Sequence, residues 1–310
     1  MPLEHPVHIP VLHAAKDGDD SPVLRLLEVK AGEDVLDATL GLGGHAFAFL
    51  TANGLAGRYT GLDADAENLA FARERLKSFG DRVTLHHVNF KDINELALAP
   101  VDVFFADLGL SSPHVDEPER GFTFRADAPL DLRFDRSRGA TGADLLRELD
   151  PKEIVRILRD FGDIARSRTL AEKLSEAFRG GAGRTSDVKR VTEEVYGYRA
   201  PSLLPQVFQA LRIAVNDEVW ALEQLLRAIP SLLRPGGRVG IISYHSLEDR
   251  LVKETFRSLC QVERDQITGA DLREPDYEIL TKKPVIPDDA EIARNPRSRS
   301  AKFRVLRRLR

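Results

Sequence analysis

The apolar positions in the first third of the chain follow two alternating rhythms. Compact apolar runs at 33–38, 58–62, 82–88 and 101–106 have the look of strands buried in a sheet. Between them, apolar residues recur at helical spacing over 46–53, 66–79 and, more briefly, 91–98. In the longest of these, Leu69, Ala72, Leu76 and Phe79 share one face. Strand and helix in strict alternation predict an α/β fold with a doubly wound, mostly parallel sheet.

The alternation then stops. The next strand pattern, 238–243, follows Pro235-Gly236-Gly237, about 130 residues on, where a single crossover helix needs only a few tens. The intervening pattern is helical. Asp150-Pro151 opens one helix, with proline at the first helical position. Others are expected at 164–178, at 186–195 after Gly180-Gly181-Ala182-Gly183, and over 203–233, kinked near Pro230. This predicts a sheet domain in two parts, 1–115 and 205–310, around an inserted helical domain at 116–204. The last third should hold a helix at 247–259, strands at 276–282 and 302–309, and a loop at 282–296.

The 310 residues, 42% hydrophobic, suffice for one large core and a smaller one. No apolar run approaches the roughly eighteen residues of a membrane span, so none is expected. A secretory signal is not expected either, because no basic region precedes an apolar block near Met1. The single cysteine, Cys260, fits a reducing cytoplasm. A net charge of −4 conceals an uneven spread. From 292 onward there is no acid, but there are Arg294, Arg297, Arg299, Lys302, Arg304, Arg307, Arg308 and Arg310. Charge alone balances two readings, a polyanion contact and a solvated basic tail.

The candidate chemistry lies where strands end. Gly41-Leu42-Gly43-Gly44-His45-Ala46 sits between a strand and a helix, where backbone N–H groups can approach a ligand with no Cβ in the way. Asp63 ends the next strand, as an acid meeting ribose hydroxyls does. Together they point to an adenosine-containing cofactor. Asp37, just before the loop, is read as a cap or a loop-orienting residue. The fourth strand runs into Asp107-Leu108-Gly109-Leu110-Ser111-Ser112-Pro113-His114. An acid followed by a Gly/Ser/Pro turn resembles the Asp/Asn-Pro-Pro-aromatic signature of amino-group methyltransferases, although its two prolines and aromatic are absent. An exocyclic amine delocalises its lone pair into the base, and an acceptor for its N–H helps localise that pair. A nicotinamide-dependent oxidoreductase using the same glycine loop is the competing reading, and a non-catalytic RNA-binding assembly factor is a third. The eight histidines show no metal-ligand spacing, so no metal is expected. His245 lies near Ser243 and Ser246, but no nucleophile elbow surrounds either serine. Arg133, Arg250, Arg297 and Arg299 are candidate phosphate contacts. Phe122 and Phe124 are read as core, with stacking on an extruded base as the alternative.

Ordered blocks along nearly the whole chain resemble the MraW family of bacterial ribosomal RNA small-subunit methyltransferases. They are Gly41-Leu42-Gly43-Gly44-His45, Asp63-Ala64-Asp65, Asp107 through Pro113, Glu119-Arg120-Gly121-Phe122-Thr123-Phe124 and Pro129-Leu130-Asp131-Leu132-Arg133. Further on come Phe208-Gln209-Ala210-Leu211-Arg212-Ile213 with Val215-Asn216, then Ser243-Tyr244-His245-Ser246-Leu247-Glu248-Asp249-Arg250, and Asn295-Pro296-Arg297-Ser298-Arg299-Ser300. The resemblance implies a class I methyltransferase, Rossmann-like in its sheet, with a helical insert. It implies S-adenosyl-L-methionine as donor and N4 of a cytidine in 16S ribosomal RNA as acceptor, in naked RNA or in the assembled small subunit. By that analogy Gly43, Gly44 and His45 line the donor site, Asp63 holds the ribose and Phe90 flanks the adenine. Asp107 and position 114 would complete the pocket. Relatives carry glutamine at 114 and often phenylalanine at 244, so His114 and Tyr244 depart from the pattern. The resemblance also leaves room for a homodimer.

Overall fold

The computed structural model describes residues 10–12, 21–262 and 272–310. Its seven strands are β1 (Val35–Asp37), β2 (Tyr59–Asp63), β3 (Val83–His87), β4 (Val101–Asp107), β5 (Leu233–Ser243), β6 (Tyr277–Ile279) and β7 (Lys302–Arg308). They form one sheet in the order β3-β2-β1-β4-β5-β7-β6. β1 to β5 pair in parallel, and β7 runs antiparallel between β5 and β6. This is the doubly wound α/β sheet of class I methyltransferases. Strand order reverses between β1 and β4, and ligands of such sheets bind beyond the carboxyl ends of the strands flanking that reversal.

Side chains alternate faces along a strand, so each strand feeds two cores. Phe104 and Ala106 of β4 pack with Leu36, Val239, Ile241 and Leu306 on one face. Val103 and Phe105 pack with Val35, Phe49, Ile242 and Phe303 on the other. The helices around the sheet are α1 (Pro22–Leu27), α2 (Gly44–Ala52) and α3 (Ala66–Leu76), with three more after the long helical stretch.

The residues up to Gly109 and from Trp220 onward form one compact unit, and Leu110–Val219 form a second. The second extends further at both ends than the 116–204 read from pattern. It holds α4 (Ser112–Asp116), α5 (Gly142–Glu148), α6 (Pro151–Asp160), α7 (Ser167–Arg179), α8 (Thr185–Tyr196) and α9 (Ala200–Val215). Its own core joins Leu146, Ile154, Leu158, Leu170, Leu174, Phe178, Val188, Val207 and Leu211. Asp150 caps α6 as the Asp-Pro pair predicts, accepting from the Lys152 N–H at 2.8 Å while Glu153 accepts from the Asp150 N–H at 3.0 Å.

The single helix expected over 203–233 is two. α9 ends at Asn216, Asp217 takes φ +51°, and α10 (Glu218–Leu232) resumes and leads into β5. Asn216 caps the end of α9 and ties it to the 132–134 segment: its amide donates to the Leu132 and Arg212 carbonyls and its oxygen accepts from the Phe134 N–H. Arg212 forms a two-pronged pair with Glu218 across the gap, at 2.8 and 2.9 Å. α10 presents Leu222, Leu225, Leu226, Ile229 and Leu232 to the first of the two sheet cores. α11 (Ser246–Leu259) follows β5, as expected. α12 (Asp289–Arg294) occupies part of the stretch read as a loop.

Candidate active site

β1 ends on Asp37, which is fully buried. Its carboxylate accepts from the Tyr59 hydroxyl at 2.7 Å and from the Thr39 N–H at 2.9 Å. Burial pushes the Asp37 carboxyl up, and the Tyr59 and Thr39 bonds pull against it. Thr39 then bridges to the next strand end, its hydroxyl accepting from the Asp107 N–H at 2.6 Å. Asp37 thus orients the start of the loop, the role its place in the sequence suggested.

The loop itself is stapled by Asp63, which ends β2. Oδ2 of Asp63 accepts from the Gly41 N–H at 2.7 Å, and Oδ1 accepts from the Asp65 N–H at 2.7 Å. Burial pushes the Asp63 carboxyl up to about 7, against the pull of the Asp65 and Gly41 N–H groups. Each carboxylate oxygen carries two lone pairs, so Oδ2 keeps one for a further donor such as a ribose hydroxyl. Gly43 precedes α2 with φ +74°, a conformation that favours glycine. A Cβ on Gly44 would lie 2.3 Å from Pro10 Cγ, so the helix start meets the 10–12 segment with no room for a side chain. These are the features an adenosine-containing ligand needs: a loop free of side chains, a helix start and a desolvated acceptor.

Asp107 ends β4. Its Oδ1 accepts from the Tyr244 hydroxyl at 2.7 Å, and Oδ2 lies 3.6 Å from Nε2 of His45. The His45 ring is buried and packs on Phe105 at 4.8 Å. Phe90 opens the short helical turn after β3 and packs partly buried against the sheet. Gly43, Gly44, His45, Asp63, Phe90 and Asp107 therefore all lie beyond carboxyl ends of strands in one unit. Thr39 and Tyr244 join them, and Tyr59, at the start of β2, reaches Asp37 through its hydroxyl. A lone threonine or strand tyrosine carries no motif in the sequence, and Tyr244 stands out there only as a departure from the family pattern.

The other expected residues have different settings. His114 belongs to the second unit, where its ring lies 5.1 Å from both Phe122 and Phe134 in a three-ring cluster, and Nδ1 accepts from the Ser111 N–H at 3.1 Å. Phe122 is buried and stacks on Phe134, and Phe124 packs on Phe208, as core residues do. Arg133 forms a two-pronged pair with Asp131 at 2.7 and 3.1 Å and donates to the Gly139 carbonyl. Arg250, Arg297 and Arg299 are exposed.

The basic C-terminal stretch requires a correction. It is neither a solvated tail nor, for the most part, an open polyanion surface, because 302–308 is strand β7. Arg304 pairs with Asp249 at 2.7 Å and Arg307 with Glu28 at 3.5 Å. Arg308 donates to the Pro230 and Leu233 carbonyls, and Arg310 pairs with Asp276. A run of cations without acids looks unneutralised in sequence, but its partners come from distant elements.

The MraW methylase family matches residues 6–309. The chain belongs to that family. Its chemistry is methyl transfer, and the nicotinamide reading of the glycine loop falls away. Among similar proteins is the "Ribosomal RNA small subunit methyltransferase H" of Syntrophotalea carbinolica, 42% identical over 93% of this chain and 95% of that one. The protein of the same name from Heliobacterium modesticaldum is 41% identical over 98% of this chain and 99% of that one. Among solved structures, an rRNA methylase from Streptococcus thermophilus aligns with a TM-score of 0.39 and 13% identity, covering 92% of each chain. No helix among the described residues is long and apolar enough to cross a membrane.

Proposed function

We propose that this chain transfers a methyl group from S-adenosyl-L-methionine to N4 of a cytidine in 16S small-subunit ribosomal RNA. Family membership and relatives named for small-subunit ribosomal RNA support methylation of that RNA. The observation that carries the amine as target is Asp107, a carboxylate at the strand end flanking the topological reversal, held by Tyr244 and facing His45.

The donor, when bound, supplies an electrophilic methyl group on its sulfonium. Gly43 and Gly44 let backbone approach it closely, and His45 lines its site. Asp63 accepts from its ribose hydroxyls, and Phe90 packs beside its adenine. Asp107 would accept an N–H of the cytosine amine, which helps localise the nitrogen lone pair. The methyl carbon exchanges its bond to sulfur for one to nitrogen, a neutral thioether leaves, and the amine gives up one proton to solvent. The base must leave its stack or loop to reach that carboxylate. Arg250, Arg297 and Arg299 meet phosphates of the RNA.

Mass spectrometry of small-subunit ribosomal RNA nucleosides tests this. Cells lacking the protein should lose an N4-methylated cytidine, and the wild-type gene but not Asp107→Ala should restore it. An unchanged nucleoside profile would refute the assignment. It would leave the non-catalytic assembly role, which predicts RNA affinity without methyl transfer. S-adenosyl-L-methionine should raise the melting temperature of the purified protein, and NAD(P) should not.

A further inference from the structure

Asp107 and Tyr244 meet at the polar centre of the site. Asp107 stands on the last residue of β4 and carries a carboxylate that is one-fifth exposed at 19%. Its backbone is fixed by the Thr39 hydroxyl. Nothing in the backbone fixes the carboxylate itself, which turns about two side-chain bonds. Tyr244, directly after β5, supplies the missing constraint. Its hydroxyl donates to Oδ1 at 2.7 Å.

Tyr244 is itself held at several points. Its N–H donates to Glu248 at 2.8 Å. Its ring lies against Gly109, where φ is +104° and a Cβ would stand 3.2 Å from the ring. The residue two places past Asp107 thus makes room for the ring that reaches back to Asp107. Burial, followed by the facing Asp107 charge, pushes the phenol well above its usual range, so the hydroxyl keeps its proton and remains a donor.

We propose that Tyr244 is a positioning residue for methyl transfer: its hydroxyl holds Oδ1 of Asp107 while Oδ2 faces His45, and so fixes the orientation of the carboxylate that meets the substrate amine. This rests on the assignment of Asp107 to the amine made above. A carboxylate held in one orientation loses no freedom on meeting the N–H, and a bond to a charged acceptor is strong enough to hold it. A phenylalanine here would keep the ring contacts and lose the constraint, so the tyrosine gives this chain a more rigid acceptor.

The test is a cycle of Tyr244→Phe, Asp107→Asn and the double variant, with small ribosomal subunits from cells lacking the enzyme as substrate. Tyr244→Phe should lower kcat about tenfold, leave KM for donor and RNA within about twofold, and keep the melting temperature. In the Asp107→Asn background the same change should have no further effect on kcat. If Tyr244→Phe leaves kcat intact while Asp107→Asn abolishes it, the positioning role is wrong and the reading of Asp107 stands. If Tyr244→Phe costs the same factor in both backgrounds, the tyrosine acts elsewhere and the inference fails. If Asp107→Asn retains full kcat, the reading of Asp107 fails and the inference with it.

Discussion

Asp63 shows how one side chain serves both fold and ligand. Its carboxylate closes the glycine loop through the Gly41 N–H, and burial holds it near neutral pH at about 7. An acid whose folded value lies above its unfolded one favours the native state at low pH. That contribution is complete below the ordinary value of 3.8 and fades as pH rises through about 7. Ligand binding should run the other way, because ribose hydroxyls donate best to the ionised form. Calorimetry with S-adenosyl-L-methionine should show affinity about tenfold weaker near pH 6 than near pH 8. Asp63→Asn should flatten both trends, and Asp63→Ala should weaken donor binding by about tenfold or more. A pH-independent affinity in the wild type would show that this carboxyl does not meet the donor.

The elements are tied by charges that enter from far along the chain. Arg238 in β5 is buried, yet its guanidinium meets Glu33 at 2.6 and 2.9 Å and the carbonyls of Leu27 and Glu28 at 2.8 Å each. It thereby fastens the end of α1 and the approach to β1 onto the centre of the sheet. Burial alone would push the Glu33 carboxyl up, but the Arg238 bonds, the Lys30 N–H and the nearby positive charge together outweigh it and hold it below 4.5. This contribution is therefore present above that value and is lost as acid protonates the pair. Glu33→Ala strands a buried cation and should cost about 3 kcal/mol, read as a lower midpoint in urea. α10 depends on plainer physics. Leu225 and Ile229 are both fully buried in the first sheet core, and Leu225→Ala should cost about 3 kcal/mol.

At the scale of the whole molecule, the cations of the C-terminal stretch differ in setting. The strand β7 pairs Arg304, Arg307 and Arg308 with partners within the sheet unit. Arg250, Arg297 and Arg299 are exposed. Under the proposed function these three meet the RNA. Replacing Arg297 and Arg299 together by alanine should weaken binding of small-subunit RNA. The slope of log affinity against log salt should also shrink by about 1.4, at roughly 0.7 per contact to a single strand. Arg304→Ala should act differently, lowering stability by leaving Asp249 with Lys302 as its remaining cation at 3.4 Å, with the salt slope as it was.

Much was legible in the chain because it depends on local order. The strand–helix alternation, the Asp-Pro helix start, the glycine loop and the acids ending β2 and β4 each need only neighbours a few residues away. Period-two and helical spacing decide which way side chains face, whatever the rest of the molecule does. What stayed hidden depends on residues that meet only after folding. The side chain of Asn216, at the end of α9, finds its partners at 132, 134 and 212. The neutralised C-terminal strand follows from Asp249, Glu28 and Asp276. The hydroxyl on Asp107 comes from a tyrosine 137 positions away. Local pattern thus determined which elements form and where the candidate chemistry collects, and tertiary structure decided which charges pair and which side chains hold the Asp107 carboxylate. Hydrogen bonds and ion pairs between distant elements leave no periodic trace, because their partners are set by the closing of the sheet.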